Sequence, residues 1–214
     1  MLAVDRTRRM VRKALVLATV AIVGTVALAA EAPEKVVVFL GDSLTAGYGL
    51  PADLSFPAIV ERKLREDGTA VRVVNAGVSG DTSAGALRRV PWLLRQRPDV
   101  LVVELGANDA LRGQPVAGIE ANLRSIVEQA RDAGARVLLV GMRVPTSYGP
   151  EYAEDFAALY PKLAKRLGVP LVPFLLEGVA GRPGLNLGDG IHPNAEGQKI
   201  VAANVLPHLA GLLR

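Results

Sequence analysis

Hydrophobic residues in this chain collect into five short blocks, separated by amphipathic stretches and glycine-bearing loops. Residues 36–40 (Val-Val-Val-Phe-Leu) and 100–105 (Val-Leu-Val-Val-Glu-Leu) are nearly continuous apolar runs. Runs of this kind suit parallel strands covered on both faces, which have no need of polar alternation. Residues 70–74 and 136–140 make two further strands, and residues 171–173 a short fifth. Between them the apolar spacing switches to three and four. Phe56, Ile59, Val60 and Leu64 mark a helix over 56–66 that stops at Asp67-Gly68. Leu87, Val90, Trp92 and Leu93 mark a second helix, with Trp92 expected in the core and Asp81 or Thr82 as its cap. Further helices are expected over 116–133, 152–167 and 195–213. Residues 75–82 read as a tight loop rich in small residues.

Strands alternating with helices of about a dozen residues imply right-handed crossovers and a parallel sheet. The expected fold is α/β: a three-layer, flavodoxin-like arrangement with a five-stranded parallel sheet in the order 2-1-3-4-5. All strands of such a sheet deliver their C-terminal loops to one rim, where open α/β sheets bind ligands. The loops carrying Ser43, Gly80 and Asn108 should therefore meet.

Charge changes the picture only after it is located. The 214 residues carry 25 basic and 21 acidic side chains, and the sequence pI is about 9.6. Residues 1–29 hold Arg6, Arg8, Arg9, Arg12 and Lys13 against the single acid Asp5. Without them 20 bases face 20 acids, so the rest of the chain is formally neutral and offers no general support for nucleic-acid binding. The basic start, the apolar run over 14–30 and the small residues at its end form an export signal. The expected organisation is a cleaved signal peptide at residues 1–30 and one domain over 31–214. The product would be exported to a periplasm or the medium. The apolar run is short for a spanning helix, which needs roughly 20 residues, although an uncleaved anchor is the alternative. The chain has no cysteine, which removes disulfides, thiol catalysis and Cys-ligated metal.

Candidate chemistry lies in the loops. Ser43 follows the first apolar run and is a candidate nucleophile, although Asp42 and Ser43 taken alone fit the cap of a short helix equally well. Only two histidines exist: His208 sits in the last helical stretch, while His192 lies in a turn with Asp189 three positions upstream. Gly190 allows a sharp turn there, so the carboxylate can reach one ring nitrogen and leave the other outward, as a Ser-His-Asp triad requires. A capped helix start explains Asp-x-x-His as well. Acyl transfer also needs donors for an oxyanion. The Ser43 N–H, the side-chain-free Gly80 and the neutral amide of Asn108 are candidates, against plain turn chemistry for the last two. Asp42, Asp81 and Asp109 fit loop or cap roles.

Four segments carry these residues in order: Gly41-Asp42-Ser43-Leu44; Gly80 within Asn75-Ala76-Gly77-Val78-Ser79-Gly80-Asp81; Gly106-Ala107-Asn108-Asp109; and Asp189-Gly190-Ile191-His192-Pro193-Asn194. Together they resemble the four blocks of the SGNH (GDSL) hydrolase superfamily and span essentially everything from Val36 onward. Residues 103–113 and 160–165 are similar to the secreted bacterial branch of multifunctional thioesterases, arylesterases and lysophospholipases. The resemblance implies Ser43 as nucleophile, His192 as base and Asp189 as its orienter. Gly80 and Asn108 would complete an oxyanion hole with the Ser43 amide. It further implies that the loop over 142–150 covers an acyl chain, with Pro145 and Tyr148 as substrate-binding residues. There is no Gly-x-Ser-x-Gly, so the α/β-hydrolase elbow is not the competing motif.

The expected activity is hydrolysis of carboxylic esters or thioesters through an acyl-enzyme on Ser43, without metal or other cofactor. The partner would be a small acyl ester or thioester, with membrane contact only through a retained signal segment or a lipid substrate, and the protein a monomer or small homo-oligomer. Two other readings compete: a carbohydrate-directed deacetylase on the same scaffold, and a non-catalytic acyl-binding protein. The first calls for exposed aromatic platforms, and the second has no reason to keep all five chemical positions.

Overall fold

The computed structural model describes residues 33–214; the expected signal segment lies outside the described residues. Five strands, β1 (Lys35–Gly41), β2 (Val71–Gly77), β3 (Val100–Glu104), β4 (Arg136–Val140) and β5 (Leu171–Val172), pair in parallel in the order β2-β1-β3-β4-β5. The expected topology is the observed one. Apolar continuity is the cause in the sheet centre: every residue of β3 is buried, as are the last five of β1 and the last four of β4.

Helices α1 (Ser43–Ala46), α2 (Phe56–Glu66), α3 (Ser83–Leu93), α4 (Ala107–Leu111), α5 (Val116–Asp132), α6 (Pro150–Leu167) and α7 (Ala195–Leu213) complete the described chain with short 3₁₀ turns. α2 packs on α7, while α3, α5 and α6 pack in succession, which gives two helical layers around the sheet. Phe39 of β1 meets Phe56 of α2 edge to face at 5.5 Å, and Phe156 meets Tyr160 in the same manner within α6.

Two local differences from the sequence expectation have physical reasons. Asn75, Ala76 and Gly77 extend β2 rather than opening a loop, because they pair with Phe39, Leu40 and Gly41. Trp92 is 60% exposed instead of core, since the buried residues of α3 are Ser83, Ala86, Val90 and Leu93, and position 92 falls off that stripe. The segment after Gly106 forms the short helix α4. Thr82, not Asp81, caps α3, its side chain accepting from the Gly85 N–H. Asp81 instead pairs with Arg89 at 2.8 Å.

The register is what positions the site. Gly41 aligns with both Gly77 and Glu104, and Glu104 aligns with Val140. Four strands therefore end level, and the four loops that follow leave from one edge.

Candidate active site

Ser43 begins α1 directly after β1, and Asp42 caps that helix by accepting the Leu44 N–H at 2.9 Å. The cap reading and the nucleophile reading of this turn are therefore compatible. Gly41 must be glycine, because a Cβ there would collide with Thr45 and lie 2.7 Å from Glu104 Oε2. Ser43 Oγ stands 2.9 Å from His192 Nε2, and His192 Nδ1 stands 2.7 Å from Asp189 Oδ2. With Nδ1–H donating to the carboxylate, the Nε2 lone pair faces the hydroxyl.

Asp189 is held by more than the ring. Its other oxygen accepts the backbone N–H groups of Ile191 and His192 at 2.9 and 3.0 Å. These backbone donors, followed by the imidazole, lower its pKa to about 2. The carboxylate is thus ionised wherever the ring could act as a base. Gly190 has φ +71°, the left-handed conformation that this tight Asp-to-His turn demands. Tyr48, which sequence reasoning passed over, covers the imidazole with ring centroids 4.5 Å apart. Its only signal was an aromatic residue five positions after Ser43.

The Gly80 and Asn108 loops reach the same place. Asn108 donates its side-chain amide to Asp42 Oδ2 at 3.0 Å, and one amide hydrogen remains for a further acceptor. Neither the Ser43 nor the Gly80 N–H has a hydrogen-bond partner among the described residues. Asp109 is buried and takes both the N–H and the hydroxyl of Ser83 at 2.7 Å, which pins the start of α3 to α4. Arg112, one turn beyond Asn108, donates to the Gly80 carbonyl at 3.1 Å. Both contacts tie the loop bearing Gly80 to the helix bearing Asn108.

Ser43, Tyr48, Gly80, Asn108 and His192 open on one cleft of about 640 Å³. Ser43, Gly80, Asn108 and His192 line it together with Pro145 and Tyr148, and Asp189 stands behind His192. The apolar wall comes from Met142, Val144, Phe174 and Leu176, while Ala180 and Gly181 leave their part of the lining without bulk. The other histidine, His208, lies in α7 and does not line the cleft. Among the described residues no helix is long and apolar enough to cross a membrane.

A parallel three-layer sheet with serine, histidine and aspartate hydrogen-bonded in series at its C-terminal rim defines a class of α/β protein built around a serine. The chain belongs to the GDSL-like lipase/acylhydrolase family, whose sequence pattern matches residues 39–200. It is 43% identical over 189 residues to the protein named Esterase TesA of Pseudomonas aeruginosa, covering 88% of this chain and 94% of that one. Thioesterase 1/protease 1/lysophospholipase L1 of Escherichia coli (strain K12) is 44% identical over 172 residues, 80% of this chain and 81% of that one. A crystal structure titled TesA superposes with a TM-score of 0.81 at 44% identity, covering 83% of this chain and 99% of its own.

Proposed function

We propose that the protein is a serine esterase that hydrolyses carboxylic esters or thioesters through an acyl-enzyme on Ser43. The observation that carries this reading is the Ser43–His192–Asp189 series at the mouth of an apolar cleft. The names of the relatives, an esterase and a thioesterase/lysophospholipase, point to the same chemistry.

In the first step His192 Nε2 takes the Ser43 proton as Oγ attacks the acyl carbonyl. Asp189 holds the ring in the tautomer that leaves Nε2 free and stabilises the imidazolium that forms. Negative charge on the carbonyl oxygen is met by the Ser43 and Gly80 N–H groups and by the second amide hydrogen of Asn108. His192 returns its proton to the leaving alkoxide or thiolate. Water then attacks the acyl-enzyme, with His192 again as base, and Ser43 is regenerated. The acyl chain lies along Met142, Val144, Pro145, Tyr148 and Phe174. Residues 1–30 act as an export signal, so the reaction takes place outside the cytoplasm.

A serine-reactive fluorophosphonate probe and a panel of p-nitrophenyl esters and acyl-CoA thioesters test this together. The wild-type protein should be labelled and active, and Ser43→Ala should lose labelling and several orders of magnitude in kcat with its fold intact. Undiminished hydrolysis by Ser43→Ala would refute the assignment. Labelling without activity on any acyl substrate would favour a binding role.

A further inference from the structure

Glu104 is the last residue of β3, fully buried, and the mechanism above makes no use of it. Its Oε2 accepts the Thr45 hydroxyl at 2.8 Å and the Asp42 N–H at 3.4 Å, so it braces the turn carrying Ser43 from below. Its Oε1 has no donor at all among the described residues. An ionised carboxylate with an orphaned buried oxygen carries a large desolvation cost, and no cation among the described residues offsets it. Among the described residues neither Glu104 nor Asp42 forms an ion pair with Lys or Arg. The groups that face the pair are accounted for. Arg89 of α3 reaches toward β1 but is committed to Asp81 and to the carbonyls of Ala76 and Gly41. From α6 comes Tyr160, whose hydroxyl donates to the Leu105 carbonyl, and His192 faces Asp42 across the turn.

The two carboxyls are neighbours: the Asp42 N–H donates to Glu104 Oε2 at 3.4 Å, and each carboxyl acts on the other. Two anions so placed repel, whereas an acid and its neighbour's carboxylate attract. The proton belongs on Glu104, because Asp42 already has two donors suited to an anion, the Leu44 N–H and the Asn108 amide. Glu104 has both of its donors, the Thr45 hydroxyl and the more distant Asp42 N–H, on Oε2 and none on Oε1, whereas the two on Asp42 serve one oxygen each.

We infer that Glu104 is a neutral carboxylic acid that donates its proton to Asp42, and that this hydrogen bond positions Ser43 and the Asn108 amide for catalysis. Glu104 and Asp42 are positioning residues. The acid fixes the Asp42 carboxylate, and the carboxylate in turn fixes both the Leu44 N–H after the nucleophile and one hydrogen of Asn108. Burial and the neighbouring Asp42 both push the Glu104 carboxyl upward, in agreement with that geometry. When hydroxide removes the proton in alkali, two adjacent buried carboxylates remain, the pair opens, and Asn108 loses its register. Activity should therefore have an alkaline limb that His192 does not cause.

The inference rests on the esterase reading, so its test needs one arm independent of activity. In the full-length Ser43→Ala protein, infrared difference spectra should show the carbonyl band of a protonated carboxylic acid at pH 8. Adding Glu104→Gln should remove it; a Ser43→Ala protein with no such band, or one that keeps it after the Gln substitution, overturns the inference whatever the enzyme hydrolyses. In the active protein, Glu104→Gln is the conservative variant. Its amide can donate to Asp42 while its oxygen accepts from Thr45, and it does not titrate. Its kcat on p-nitrophenyl butyrate at pH 7 should stay within about threefold of wild type, and the alkaline fall should disappear. Glu104→Ala should lower kcat by roughly 10- to 100-fold with KM within about twofold, the scale of a misplaced catalytic group. A Glu104→Ala protein with wild-type kcat, or a Gln variant whose alkaline fall keeps its midpoint, overturns the positioning role. If the Ala variant does not fold, the pH profile of the Gln variant decides alone.

Discussion

The side-chain amide of Asn108 donates to the carboxylate of Asp42 over 3.0 Å, joining the helix after β3 to the turn that carries Ser43. An amide placed by an anion presents its second hydrogen in a fixed direction. That direction is what an oxyanion donor needs, because donors aligned before the reaction cost nothing to reorganise during it.

Removing the donor should be expensive. Asn108→Ala should lower kcat on the order of 10²–10³-fold with little change in KM, as for other single-donor deletions. Asp42→Asn retains an acceptor for the Leu44 N–H but turns an amide toward an amide, so it should reproduce part of that loss. Steady-state kinetics on p-nitrophenyl esters check both, and an Asn108→Ala protein within a few-fold of wild type would exclude Asn108 from the oxyanion hole.

Asp189→Asn should lower kcat by about 10⁴-fold, because an amide cannot hold the imidazole in the required tautomer. Acid sensitivity has a definite sign here. The Asp189 carboxylate is lowered from 3.8 to about 2, so its contribution to stability is fully present above pH 3.8 and lost only as the pH falls through about 2. Activity lost between pH 7 and 4 therefore does not report protonation of Asp189. Circular dichroism across that range should show an unchanged fold, and rates and fold collapsing together would contradict this.

Gly106 has φ +115°, and a Cβ there would meet the Tyr160 hydroxyl, which is buried and donates to the Leu105 carbonyl at 2.9 Å. Gly106→Ala should therefore cost on the order of 2–4 kcal/mol from backbone strain and overpacking. Chemical denaturation measures it directly. Because Gly106 leads into α4, kcat should drop as well.

Tyr148 is 45% exposed on the loop after β4 and lines the cleft with Pro145. Tyr148→Ala should raise KM for long-chain p-nitrophenyl esters several-fold more than for the acetate. An unchanged chain-length preference would make this loop a surface connection only.

Much was legible in the chain before its structure. Continuous apolar blocks at 36–40 and 100–105 and helical spacing between them were sufficient for the five-stranded order, since a buried parallel strand and an amphipathic crossover leave few ways to pack. Asp189 and His192 were legible as a pair because the chemistry linking them is local, three positions apart across one glycine turn. Trp92 was misjudged because an apolar residue near a stripe need not lie on it.

Tertiary structure alone decided the contacts between distant segments. Ser43 and His192 are 149 positions apart, and nothing local in either segment fixes the 2.9 Å between them; the level ends of the strands do. Asp42 looked like a turn residue, and so it is, but its second oxygen holds Asn108. Glu104 read as one polar residue in an apolar strand. Its place beneath Asp42 depends on the register of β1 against β3, which sets Gly41 beside it with no side chain in the way. Local pattern determines which elements form and which face of each is apolar. Only the assembled sheet decides which loop ends stand within hydrogen-bonding distance, because that distance is set by packing summed over the whole core.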